Sequence, residues 1–128
     1  MRVRRSGDLD AAFATAGRPL PSALIVVAVS IVEQNRIVDF AAKHRIPAIC
    51  GFREAVDAGA LMSCGPNYFE FWRGTANYVD RILKGAKPAD LPVVQPTAFE
   101  LVINLKAAKA LGVTLPASLL TRANQLIE

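Results

Sequence analysis

Residues 20–29, LPSALIVVAV, form an unbroken apolar run rich in β-branched side chains and bounded by Pro and Ser. A strand with one wet face alternates polar and apolar residues, whereas a run without alternation is a strand covered on both faces, as in parallel sheets. The pattern places a strand over 23–28. Two further runs follow: IPAICG at 46–51, where Pro47 can sit only at the start and Gly51 punctuates the end, and ALMSC at 60–64. Strands separated by helical segments imply βαβ units, so the expected class is α/β, a three-layer parallel sheet flanked by helices on both faces.

The intervening segments carry the helical signals. In SIVEQNRIVDFAAKHR, Ser30 and Glu33 have capping-box spacing, and Gln34, Ile37, Val38 and Ala41 lie on one stripe. Lys43, His44 and Arg45 suit the negative end of that helix. A short helix covers FREAVDA, closed by Gly59. From Tyr68 the stripe Phe69, Trp72, Ala76, Val79, Ile82 and Leu83 keeps helical period until Gly85, with Asn67 as N-cap and Glu70 three residues on. That periodicity predicts Phe69 and Trp72 to be core. AKPADLPVVQPT reads as a stiff extended crossing. FELVINL alternates as a strand, KAAKALG is helical, and 116–127 is predicted helical, with Leu119, Leu120, Ala123, Leu126 and Ile127 on one side. At the front, MRVRR reads as a strand and GDLDAAFATAG as a short helix with Asp8 as N-cap.

Composition narrows the function classes. Hydrophobic residues make up 52% and charged ones 20%, which points to apolar surface meant for a partner. The net charge of +4 is clustered only at RVRR, without the basic, aromatic-interleaved helix or ligand spacing of nucleic-acid binders, so no nucleic-acid partner is expected. Two cysteines make neither a disulfide framework nor a metal site. A Cys50–Cys64 disulfide requires that their strands pair in an oxidising compartment. No run of eighteen apolar residues exists and no apolar signal core follows Met1, so the chain is not expected to span a membrane.

In an open parallel sheet, ligands gather outside the carboxyl ends of the strands, where helix N-termini present unpaired amides to anions. This directs attention to the turns holding Ser30, Gly51, Phe52 and Arg53, and Cys64, Gly65, Pro66, Asn67 and Tyr68. Phe52 and Tyr68 would supply an aromatic wall, and Arg53 a cation for a bound carboxylate. The competing reading makes them packing aromatics and a surface Arg. Cys64 reads as a pocket wall, because a nucleophilic thiol wants a base and the only imidazole, His44, is expected at the far end of a helix. Glu54 and Asp57 read as a solvated face. GFREAVDAG lacks the glycine spacing of a dinucleotide fingerprint or P-loop, so no cofactor and no catalytic group are expected.

The chain also resembles a known family. NYVDRILKGAKPADLPVVQPTAFELVINLKAAKALGVTLPASLLTRANQLIE (77–128) and KHRIPAICGFREAVDAGALMSCGPN (43–67), with DLDAAFA and ALIVV upstream, are similar to bacterial ABC-transporter substrate-binding proteins related to the tryptophan and tyrosine binders. The resemblance implies a type I periplasmic-binding-protein-like lobe, of which this chain is the C-terminal portion. Residues 1–85 would form the lobe, 86–97 a proline-rich tether, and 98–128 a strand-helix-helix segment packing on the same lobe or on a partner. It implies solute binding without catalysis, a small amino-acid-like or aromatic carboxylate as ligand, an ABC permease as partner and a periplasmic location.

Gly51, Phe52, Gly65, Pro66 and Asn67 match the family motif and inherit a ligand-facing expectation, with Ser30 carried over from the shorter first loop. Cys50 and Cys64 stand where the family commonly has Tyr, which removes two aromatic walls. Apolar surface left by an absent lobe would drive a two-fold homodimer, with exchange of residues 99–128 as one route. Alternatives are a cytoplasmic ligand-sensing lobe, if Met1 is the true start, a folded remnant without ligand, and a thiol-dependent enzyme using Cys64.

Overall fold

Strands β1 (Leu24–Val26), β2 (Ala48–Cys50) and β3 (Met62–Pro66) run side by side in one direction, Val26 level with Cys50 and Cys50 level with Ser63. The coordinates are a computed structural model describing residues 6–15, 20–27 and 31–128. The connections are α2 (Ile31–Lys43) between β1 and β2, and α3 (Glu54–Asp57) between β2 and β3; α1 (Ser6–Thr15) precedes β1. The chain then makes α4 (Tyr68–Leu83) and a 3-10 turn at Pro88–Asp90 and returns as β4 (Phe99–Asn104), followed by α5 (Leu105–Leu111), α6 (Ala117–Leu120) and β5 (Gln125–Ile127). The sheet order is β1-β2-β3-β4-β5.

The α/β class and the flanked sheet are as expected, with one departure in direction. β4 pairs antiparallel to β3, with Pro66 opposite Phe99 and Met62 opposite Ile103, and β5 is parallel to β4. An antiparallel neighbour needs no crossover. Residues 67–98 therefore leave the sheet at one end of β3 and re-enter at the same end, where the Asn67 N–H donates to the Ala98 carbonyl (2.9 Å).

Two hydrophobic clusters form on the sheet. Val26, Ala48 and Cys50 meet Val38 and Ala41 of α2 and Ala55 of α3. Met62 and Ile103 meet Leu119 and Leu120 of α6 and Leu105 and Leu111 of α5. Each fully buried branched side chain here, such as Val38, Val56 or Ile103, contributes on the order of 1.5–3 kcal/mol. The stripe predicted for α2 is the buried one, because Gln34, Val38 and Ala41 are all sealed from solvent. Phe13 stacks on Phe40 (4.2 Å between centroids), which fastens α1 to the last turns of α2, and His44 packs on Phe40 at a tilt of 43° (4.4 Å).

Three expectations need correction. Phe69 and Trp72 are not core: they are 83% and 65% exposed, and α4 buries no residue at all. Periodicity identifies a face that suits covering, and among the described residues α4 meets the rest of the chain elsewhere, through Tyr68 on Phe52 and Tyr78 on Pro92. The tail is not one helix over 116–127: helix stops at Leu120, and Leu126 and Ile127 pair beside Ile103 and Asn104. The spacing fits a helix, but the open edge of β4 offers backbone partners. Asn124 locks the strand there, its N–H donating to the Leu101 carbonyl and its Oδ1 accepting from the Leu101 N–H, both at 2.8 Å. Finally, helix α1 already begins at Ser6, so Asp8 lies inside it and is not its N-cap. The expected MRVRR strand and Ser30 lie outside the described residues.

Candidate functional site

The parallel direction of β1, β2 and β3 brings the chain leaving Val26, Cys50 and Pro66 to one edge of the sheet. Of the nine residues singled out in the sequence, eight lie on this rim among the described residues; Ser30 is the one outside them.

The rim is held together by two glycines. The Gly51 N–H donates to the Val26 carbonyl at 3.2 Å, extending the β1–β2 ladder one step. Gly65 packs so close to Gly51 that a Cβ on Gly65 would fall on the Gly51 carbonyl oxygen. Glycine is required by this approach of backbone to backbone. Gly65 and Pro66 are strand residues opposite Glu100 and Phe99, not the turn that Gly-Pro suggests, so the turn into α4 rests on Asn67. Asn67 is extended and its Oδ1 accepts from the Glu70 N–H at 3.1 Å, the expected cap. The Glu70 carboxylate does not close the box; it pairs with Arg73 at 3.2 Å.

The side chains form a shelf. Phe52 and Tyr68 stack with centroids 5.4 Å apart and rings tilted by 19°, and Phe71 meets Tyr68 edge-on at 6.3 Å. Stacked aromatics of this kind offer an apolar face to a planar ligand. Arg53 lies 3.9 Å from Glu100, both partly exposed, so its guanidinium already faces a carboxylate. An exposed pair at this distance is weak, and an incoming carboxylate competes for Arg53 at small cost. Glu100 was missed in the sequence because it comes from the antiparallel strand, across a pairing that no local pattern announces.

Cys64 is exposed on the rim and Cys50 is buried. They do not form a disulfide: Ser63 is level with Cys50, so Cys64, one residue on, points to the opposite face of the sheet. Burial pushes the Cys50 thiol up to about 11, which keeps it protonated at neutral pH. Cys64 has no imidazole beside it, since His44 packs at a tilt against Phe40 past the end of α2. Among the described residues no group of acidic, His or Cys side chains is placed to hold a metal ion, and no helix is long and apolar enough to cross a membrane.

A larger concavity, about 510 Å³, lies between α4 and the returning segment, lined by Phe71, Tyr78, Ile82, Leu91, Val93 and Pro96 among others. Of the predicted residues only Asn67 borders it. The Tyr78 hydroxyl donates to the Pro92 carbonyl at 2.6 Å across its floor. The rim itself is an open shelf.

Comparison with known proteins agrees with this architecture. Residues 1–127 match the model of the family described as ABC transporter substrate binding protein. A conserved domain protein from Vibrio cholerae O1 biovar El Tor superposes with a TM-score of 0.85 at 28% identity, covering 95% of this chain and 42% of that one. An ABC domain in complex with L-Trp from Streptococcus pneumoniae gives 0.85 at 27%, covering 98% and 44%. A ligand-free, open substrate binding protein with adhesive properties from Clostridium difficile gives 0.63 at 22%, covering 98% and 42%, a likeness of fold. No curated protein matches. The chain thus spans less than half the length of these structures. With the family model matched over almost its full length, the chain belongs to the ABC transporter substrate-binding protein family.

Proposed function

We infer that the rim of β1, β2 and β3 is one wall of a solute site, and that its ligand is a small carboxylate of the aromatic or amino-acid type. The observation that carries this reading is the Phe52–Tyr68 stack standing beside Arg53 at the carboxyl ends of parallel strands. The rings take the apolar body, Arg53 exchanges Glu100 for the ligand carboxylate, and amides of the first turn of α4 face the same edge. The L-Trp complex of the pneumococcal relative supports an aromatic amino acid as the first compound to try.

Binding is preferred to catalysis because the one exposed thiol has no neighbouring base. Family membership supports transfer of the solute to an ABC permease and work outside the inner membrane. The chain corresponds to less than half of its structural relatives, so contacts to the other side of the solute come from elsewhere in this reading.

Thermal unfolding against the common amino acids and aromatic acids tests the reading. A ligand at a hundred times its dissociation constant adds about 2.7 kcal/mol of stability, an easily read shift. The expected result is a shift with an aromatic amino acid that is lost in Phe52→Ala and weakened in Arg53→Ala. A shift untouched by both substitutions, or no shift with any compound, overturns it.

A further inference from the structure

A second cavity, about 270 Å³, opens at the edge of the sheet opposite the rim, where β2 and β3 begin. Its floor is Ala48 of β2 with Ala60 and Leu61 just ahead of β3, all buried, and its sides are Val38 and Ala41 of α2 and Ala107 and Leu111 of α5. Helices α2 and α5 belong to opposite layers, α2 packing on Val26 and Cys50 and α5 on Met62 and Ile103. The cavity therefore lies beneath the sheet edge where the two layers meet. Its lining comes from α2, α5 and the residues leading into β2 and β3, so the chain builds it without help from the hairpin of residues 67–98.

One side chain in this apolar lining is charged. Arg45 stands just past the end of α2 and its guanidinium reaches across to α5, donating one N–H to the Ala110 carbonyl at 3.1 Å. Its other N–H groups remain for a ligand, and among the described residues no carboxylate pairs with it. The backbone singles out the same residue. Arg45 has φ 57°, the left-handed position that Gly85 and Gly112 fill after α4 and α5, and it is the one residue other than glycine with positive φ among the described residues. A side chain kept where glycine is free of strain directs attention to what that side chain does.

We propose that this cavity is a second binding site, and that its ligand is a short aliphatic carboxylate. The hydrocarbon end lies against Ala48, Ala60 and Leu61, and the carboxylate takes the free side of the Arg45 guanidinium at the mouth. An apolar chamber with one cation at its entrance is complementary to a molecule with an apolar body and one anionic end. The volume falls just below the roughly 300–1,000 Å³ of pockets for drug-sized ligands, which sets the size of the body. No aromatic side chain lines the cavity, in contrast to the Phe52–Tyr68 shelf, so an aliphatic body is matched in preference to a planar ring. The site shares no residue with the rim and does not depend on the solute reading.

The test is a titration of the isotopically labelled full chain with sodium octanoate to about 5 mM, read from backbone amide resonances, with 1-octanol as the uncharged control. Saturable shifts are expected at Ala41, Arg45, Ala60, Leu61 and Ala110, with none at Gly51, Phe52 or Tyr68. Octanoate should bind at least tenfold more tightly than octanol. Arg45→Gly suits the left-handed backbone, so it removes the cation without straining the turn. It is expected to weaken octanoate tenfold or more and to leave octanol unchanged, which also reports that the cavity survives loss of the tie to Ala110. Ala107→Leu fills the cavity from α5 and should abolish both, with circular dichroism reporting its fold; if it unfolds, the Arg45→Gly comparison decides. Absence of shifts at these residues overturns the proposal. So does octanoate binding that ignores Arg45→Gly, which would mark mere contact with apolar surface, or shifts centred on the rim, which would assign octanoate to the solute site.

Discussion

Gly65 shows how little freedom the rim allows. A methyl group there collides with the Gly51 carbonyl, so Gly65→Ala must separate the ends of β2 and β3. The expected cost is about 2 kcal/mol or more, read as a lower denaturant midpoint, and an unchanged midpoint would contradict the packing. Gln34 is the reverse case: it is completely buried, yet neither its Nε2 nor its Oε1 has a hydrogen-bond partner. An orphaned amide costs about 1–3 kcal/mol, so Gln34→Met should stabilise the fold by that order, and a fall in Tm would refute the assignment. The two thiols differ in the same physical way. Cys64 should alkylate in the folded chain while Cys50 reacts only on unfolding. Because the folded Cys50 pKa is raised from 9.0 to about 11, its contribution is intact below about pH 9 and is lost as pH climbs toward 11. Cys50→Ala should flatten that part of the alkaline stability profile. Gly51 and Phe52 could be placed from sequence because they follow a strand with a strong local signal, whereas Cys64 lies inside β3, which runs two residues past the expected end. The burial of Gln34 was likewise visible in its stripe, but its missing partners depend on what packs opposite.

At the scale of elements, helix ends follow local chemistry closely. α2 ends in a Schellman arrangement, with Ile46 N–H to the Ala41 carbonyl (2.8 Å) and Arg45 N–H to the Ala42 carbonyl (3.1 Å). Arg45 takes the left-handed position, φ 57°, that Gly85 takes at the end of α4. Its guanidinium donates to the Ala110 carbonyl of α5 at 3.1 Å, a tie between helices that glycine would lose. At the start of α4, Asn67→Ala removes the cap and should cost α4 about 1 kcal/mol. Because α4 has so little tertiary cover, that loss should appear as roughly fivefold faster hydrogen exchange in its first turn, and unchanged exchange would contradict the capping role. Strand β5 and the direction of β4 were not legible for a common reason. Both depend on which sheet edge is open when the chain returns, information carried by residues far away in sequence. The stripe of α4 was legible as a stripe, but its burial was not, since period alone does not say where the covering surface resides.

For the molecule as a whole, the parallel β1, β2 and β3 make the lobe, and residues 67–98 stand out from it as a hairpin of helix and extended chain anchored at one point of the sheet. The rim takes solute in the proposed reading, and the exposed apolar stripe of α4 lies apart from it on the hairpin. The fold class was readable because unbroken apolar runs alternating with helical stripes admit few architectures. The rim followed from the fold class once the strands were parallel. The partnership of Arg53 with Glu100 was beyond reach because Glu100 stands on β4, across its antiparallel pairing with β3. The central claim is that the rim, and not the concavity under α4, receives solute. The most direct test is a titration of the isotopically labelled chain with L-tryptophan, followed through the backbone amide resonances up to about 5 mM, where even millimolar affinity registers. The account predicts shifts concentrated at Gly51, Phe52, Arg53, Gly65, Asn67 and Tyr68; no shifts at all, or shifts centred on Tyr78, Leu91 and Val93, would contradict it.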